Sequence, residues 1–276
     1  GEITGKLGST FPIQTYGKIK ADEVICVGLG KAAEFDYDKV RVVSNAAIKA
    51  AKRSHAKRVA TIIHGAGIGG LDPRLAAQAV AEGSLLGEYK FEGFKTEKED
   101  EKNSIDELVI VDYDPQKIKE IEPNVELAKV VIESTNRARD LINSPSNKIT
   151  PSYLADYAGE VAREAKLEFQ VLGRDEIAKK GMQALYQVAK GSDEEPKMIV
   201  LKYSGGGKEI YGLIGKGVTF DSGGISIKPS SKLSEMKTDM AGAATVVEVM
   251  RVIAKLKMKV NVIAVIPATE NMPGCL

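Results

Sequence analysis

Apolar positions along the chain alternate between short continuous runs and stretches with helical spacing, the pattern of strands and helices taken in turn. Residues 23–30, EVICVGLG, form an apolar run closed by glycine, and Val40, Val43, Ala47 and Ala51 then recur at helical spacing over 39–53. A strand followed by a helix is predicted. RVATII at 58–63 reads as a second strand, HGAGIGGLD as a loop, and 73–88 as a helix opened by Pro73 and closed near Gly87. After the charged stretch KTEKEDEKN, the run ELVIVDY at 107–113 supplies another strand and completes an alternating unit with a parallel sheet.

Pro123 opens a long helical run to about Ile142, and NSPSN, with Pro145 among small polar residues, stops it. A helix from Thr150-Pro151 to about Lys166 comes next, then a strand LEFQVLG, a short helix over 175–181, and a strand KMIVLKYS ending in the turn GGGK. The later strands are IYGLIGKGVTF and a segment around GISIK, before a helix from about Ala241 to Lys257 and a last strand VNVIAVIPA. The pattern predicts an α/β protein with an N-terminal α/β domain over 1–122, a connecting helix over 123–145 and a second α/β domain over 146–276. A chain of 276 residues is about twice the usual size of one domain, which agrees with that division.

Composition narrows the class. Hydrophobic residues at 43% and charged ones at 28% are the profile of a folded globular chain rather than a disordered one. Lys plus Arg, 39, nearly equals Asp plus Glu, 38, so no general attraction to nucleic acid or anionic membrane is expected. No apolar run approaches the ~20 residues that span a bilayer, and GEITGKLGST lacks a charged start followed by an apolar core. Cys26, in an apolar run, and Cys275 suit a reducing compartment in which thiols stay free, so a cytoplasmic location is expected. The chain starts at Gly1 and stops at Leu276 just after a strand-like run, and both ends read as cuts.

The candidate chemistry lies in residues 215–244, GKGVTFDSGGISIKPSSKLSEMKTDMAGAA, where Lys216, Asp221, Lys228, Lys237 and Asp239 stand between apolar strands. A carboxylate at the end of an apolar strand is costly to bury unless it is paired or bound to metal, and glycines at 215, 217, 223 and 224 allow close backbone approach. Taken singly, each charge is more often a solvated loop residue; taken as an ordered string, they fit metal chemistry. The string resembles the signature of the leucyl aminopeptidase family, peptidase family M17, in which a metal-binding Lys is followed five residues on by a metal-binding Asp. NRARDLINSPSN and GMQALYQVAKGS are also similar to that family.

The resemblance implies that Lys216, Asp221 and Asp239 bind metal, that Lys228 is the catalytic lysine, and that Met236 lines the side-chain pocket. It also implies two divalent ions, manganese or zinc, bicarbonate, peptide substrates cleaved after an N-terminal leucine-like residue, and a homohexamer of two trimers. The implied fold is an N-terminal macrodomain-like domain and an incomplete, zinc-peptidase-like catalytic domain. Two divalent ions about 3.5–4 Å apart bridge one water and clamp the tetrahedral oxygens formed when a peptide carbonyl is attacked. A lysine ligates metal only as the neutral amine, so Lys216 serves once a cation replaces its proton, whereas Lys228 keeps its proton and polarises the substrate carbonyl.

Further ligands of the family, an Asp and a Glu, and an Arg that holds bicarbonate lie in an Asn-Thr-Asp-Ala-Glu-Gly-Arg motif that is absent from these 276 residues. Glu270, in PATENMPG, sits where the family has a non-ligand Glu. Other signals point to structure. Gly28-Leu29-Gly30 follows a strand but lacks the third glycine of a dinucleotide loop, Ala33 standing instead. His55 and His64 suit neither a zinc pair nor a triad base. KEDEKN at 98–103 reads as a solvated loop and GIGG at 67–70 as a turn before a helix. The rival class is a non-catalytic relative acting as scaffold or DNA-binding protein. Near-neutral charge weakens the DNA version and the intact charged string weakens the scaffold version.

Overall fold

A computed structural model describes residues 4–67, 69–94 and 104–274. The stretch KTEKEDEKN with its run KEDEKN, Ile68 of the glycine turn, and Cys275 lie outside the described residues. The chain divides into two compact units, Gly1–Ile132 and Glu133–Leu276.

In the first unit, β1 (Thr10–Gln14) pairs antiparallel with β2 (Glu23–Val27), and β3 (Arg58–Ile62) pairs parallel with β4 (Glu107–Val111). The parallel pairing expected of the alternating strands holds for β3 and β4, while β2 takes β1 as its partner, a strand the apolar pattern does not reveal. Helix α1 (Tyr37–Arg53) starts at Asp36, whose side chain accepts from the Lys39 amide, and α2 (Pro73–Glu88) starts at Asp72, which accepts from the Arg74 amide. The two helices meet at Gly83 and Gly87, four residues apart: a Cβ at Gly83 would lie 2.3 Å from the Arg41 carbonyl oxygen, and one at Gly87 3.1 Å from that of Asn45. Val40, Ala76, Ala79 and Val80 are fully buried around this contact.

Helix α3 (Pro115–Asn143) begins eight residues before Pro123, and Pro123 is inside it. The division between the units falls within this helix.

The second unit contains α4 (Pro151–Ala165), β5 (Glu168–Leu172), α5 (Arg174–Lys179), α6 (Gln183–Ala189), β6 (Lys197–Ser204), β7 (Ile210–Ile214), β8 (Gly217–Asp221), α7 (Ala241–Lys255) and β9 (Asn261–Asn271). Its sheet has five strands in the order β5-β6-β9-β7, with β8 also on β9. β5 and β6 run antiparallel to their neighbours, and β7 and β8 both run parallel to β9. The core is the buried set Leu154, Ala158, Ile199, Leu201, Val247, Ala264 and Ile266 with their neighbours, where α4 and α7 cover the sheet.

Two sequence expectations change here. IYGLIGKGVTF is not one strand: it breaks at Gly215-Lys216 into β7 and β8. A Cβ at Gly215 would lie 2.9 Å from both the Gly242 carbonyl oxygen and Ala243 Cα, so the start of α7 wedges against the chain at this break. The segment around GISIK forms no strand but a turn, because Gly223 (φ +91) and Gly224 (φ +63) fold it back on β8.

Candidate functional site

Lys216 occupies the break between β7 and β8. Its carbonyl accepts a 3.0 Å hydrogen bond from the Ala243 amide in the first turn of α7, which fixes the backbone from which the side chain projects. Its Nζ donates to Asp239 Oδ1 at 2.7 Å. Asp239 Oδ2 also lies 2.7 Å from that ammonium, yet it is buried and accepts no hydrogen bond with good geometry.

Asp221 ends β8 and is registered against Asn271 at the end of β9. Between Lys216 and Asp221, β8 is irregular: its register against β9 shifts between Val218 and Phe220, adding one residue to β8. Asp221 Oδ2 accepts from Lys228 Nζ at 2.5 Å. Its Oδ1 accepts from the Gly223 amide at 3.0 Å and from Asn271 Nδ2 at 2.7 Å.

The glycine turn brings Lys228 back to Asp221. The Lys228 amide donates to the Ser222 carbonyl at 2.8 Å, and a Cβ at Gly223 would lie 2.3 Å from the Ser226 carbonyl oxygen. Lys228 Nζ is also 3.1 Å from Met236 Sδ. Met236 and Asp239 belong to a 3₁₀ helix, Leu233–Met240, in which residues three apart lie over one another. Lys216, through Asp239, and Asp221, through Lys228 and Met236, therefore converge on one face of that short helix.

The structure thus brings together Lys216, Asp221, Lys228, Met236 and Asp239. Lys237, the other charge of the string, turns away: its Nζ donates to the Asn143 carbonyl at 2.6 Å, at the end of α3 where a cation suits the helix dipole. Glu270 also stands apart. Neighbours along a strand point to opposite faces, and while Asn271 faces Asp221, the Glu270 carboxylate accepts from the Ser192 hydroxyl at 2.5 Å. Asn271 and the Gly223 amide are members of the site that residue reading missed. The signal available was TEN, the polar residues that end β9, whose pairing with β8 is not local.

Burial pushes the Asp221 carboxyl upward, but the hydrogen bonds from Lys228, Asn271 and the Gly223 amide outweigh it and hold the group below the usual aspartate range. Asp221 is thus held as an anion beside Lys228, and Asp239 forms an ion pair with Lys216. Whether these residues fit a divalent metal follows from that chemistry. Two carboxylates, one with a buried oxygen that lacks a hydrogen bond, and a lysine amine are suitable hard donors. Among the described residues no three His, Cys, Asp or Glu side chains gather as a metal group. The set fits part of a divalent-ion site.

Signals set aside in the sequence have structural uses. A Cβ at Gly28 would lie 2.1 Å from the Lys6 carbonyl oxygen, so this glycine serves backbone packing. His64 Nε2 is 3.4 Å from Thr61 Oγ1, and burial lowers its affinity for a proton. Cys26 is a free thiol. Among the described residues no helix is long and apolar enough to cross a membrane.

The chain is similar to known proteins of one family. A family model described as cytosol aminopeptidase family, catalytic domain, matches residues 136–276, and the N-terminal domain of the same family matches residues 1–98. Probable cytosol aminopeptidases from Geobacter sp. (strain M21) and Alkaliphilus oremlandii are 42% and 40% identical over 99% and 98% of this chain. One from Aquifex aeolicus is 40% identical over 98%. The chain spans 55%, 54% and 53% of these three relatives, about half their length. The solved structure of the bottromycin maturation enzyme BotP in complex with Mn is similar with a TM-score of 0.87 at 30% identity, over 99% of this chain and 56% of that one. The chain belongs to the cytosol aminopeptidase family.

Proposed function

We propose that this chain serves a metal-dependent aminopeptidase reaction that releases N-terminal, leucine-like residues from peptides. The observation that carries the reading is the convergence of two lysine–aspartate pairs, Lys216 with Asp239 and Lys228 with Asp221, on the 3₁₀ helix that bears Met236. Lys216, Asp221 and Asp239 hold the metal, manganese or zinc. When bound, a pair of such ions lowers the pKa of a shared water and stabilises the oxyanion of an attacked peptide carbonyl.

Lys228 is the catalytic lysine. Its ammonium, placed by the glycine turn, donates to the substrate carbonyl oxygen once Asp221 is engaged elsewhere, and so stabilises charge where it develops. Met236 offers an apolar, adaptable wall for the substrate side chain. The family resemblance adds a second ion, bicarbonate and a homohexamer, and the cysteine usage adds a cytoplasmic location. The pattern along the chain divides the work among an N-terminal domain over 1–122, a connector over 123–145 and the catalytic domain over 146–276. The Asp, Glu and Arg of the family's Asn-Thr-Asp-Ala-Glu-Gly-Arg motif are not among these 276 residues.

The test is hydrolysis of leucine p-nitroanilide with added manganese, alongside Lys228→Ala and metal content by mass spectrometry. Manganese-dependent release of p-nitroaniline that drops by about 10²–10³ in Lys228→Ala, the cost of removing an oxyanion donor, supports the assignment. A chain that retains no manganese sinks the metal reading. One that retains metal without turnover shows that these residues do not suffice for catalysis.

A further inference from the structure

We propose that Asn271 is a positioning residue that locks the Asp221 carboxylate in its metal-binding orientation. The inference rests on the reading of Lys216, Asp221 and Asp239 as metal ligands and adds a residue to it. The two oxygens of Asp221 are held by different kinds of donor. Oδ2 meets the Lys228 ammonium, a cation with which a bound metal ion would compete. Oδ1 meets two neutral donors, Asn271 Nδ2 and the Gly223 amide. Neutral donors fix the plane of the carboxylate without cancelling its charge, so they remain in place when a cation displaces Lys228. An ionised carboxylate only accepts, so the amide must present its NH₂ end to Asp221.

The amide is itself held by the fold. The Asn271 carbonyl accepts from both the Ser222 amide at 3.0 Å and the Ser222 hydroxyl at 2.7 Å. A Cβ at Gly224 would lie 2.7 Å from Asn271 Oδ1, so the space for the oxygen end of the amide exists because residue 224 is glycine. The parallel register of Asp221 with Asn271 then sets both side chains on the same face of the sheet. Asn271 is thus anchored through its backbone, given room at its oxygen and aimed through its nitrogen at one carboxylate oxygen. Preorganising a ligand through such an outer partner is what tunes metal affinity.

The experiment is calorimetric titration of this chain with Mn²⁺, using the parent, Asp221→Asn, Asn271→Leu and Asn271→Ala, with the metal-free melting temperature of each. Asn271→Leu keeps the bulk and Asn271→Ala relieves any strain that bulk introduces. The expected result is roughly 10–100-fold weaker Mn²⁺ binding in both Asn271 variants, the usual cost of losing an outer partner, with metal-free melting unchanged. Parent-like affinity in either well-folded variant, while Asp221→Asn loses binding, overturns the inference and leaves the metal reading intact. Weaker binding matched by lower metal-free melting in both variants overturns it in favour of a purely architectural role. A parent chain that binds no Mn²⁺ overturns the metal reading, and this inference with it.

Discussion

Lys228 Nζ lies 2.5 Å from Asp221 Oδ2. On the proposed metal reading, a divalent ion would compete with that ammonium for the same oxygen. Lys228→Met should therefore bind Mn²⁺ at least as tightly as the parent while losing turnover by about 10²–10³. Calorimetry and leucine p-nitroanilide hydrolysis on the same preparation separate the two effects. Weaker metal binding in the variant would show that Lys228 supports the metal rather than competing with it.

Acid should destabilise the first unit through His64. Burial lowers its pKa below the ordinary value of 6.5. The unfolded chain then binds more protons than the folded one below about pH 6.5, and stability rises with pH there. The contribution is fully present above 6.5 and is lost as pH falls through the lower folded value. His64→Gln should flatten the drop in melting temperature between pH 7 and pH 5; an unchanged slope would assign acid sensitivity to other groups.

Arg251 is 2% exposed, with Nη2 2.7 Å from Glu164 and Nη1 3.7 Å from the buried Glu248, which accepts a hydrogen bond from the Tyr157 hydroxyl. Removing one partner of a buried pair leaves an uncompensated charge, so Arg251→Ala should cost about 3–5 kcal/mol. The double variant Arg251→Met, Glu248→Leu should cost less than that single change. Urea unfolding monitored on the second unit gives both values, and a double variant worse than the single would rule out this account.

Leu154, fully buried on α4 against the sheet, should cost about 2–5 kcal/mol as Leu154→Ala. At the start of the same helix, the Thr150 hydroxyl accepts from the Tyr153 amide at 3.2 Å, and Thr150→Ala should cost about 1 kcal/mol. Comparable losses from the two changes would mean that the helix is not seated on the core as described.

Much of this was legible along the chain. Helices α1, α2, α4 and α7 and strands β3, β4, β6 and β9 follow from local signals: apolar spacing, Asp or Thr caps, and proline at helix starts. The residue string from Lys216 to Asp239 resembles the family's signature, and it was that resemblance that named the candidate ligands. What only the tertiary structure decided is non-local. Strand β1 as the partner of β2, the break that separates β7 from β8, the bulge within β8, and the opposition of Asn271 to Asp221 all depend on register between segments far apart in sequence. A strand's own residues state which positions are apolar. They do not state which strand will lie beside it, because ladder hydrogen bonds are made by backbone groups that every residue but proline shares.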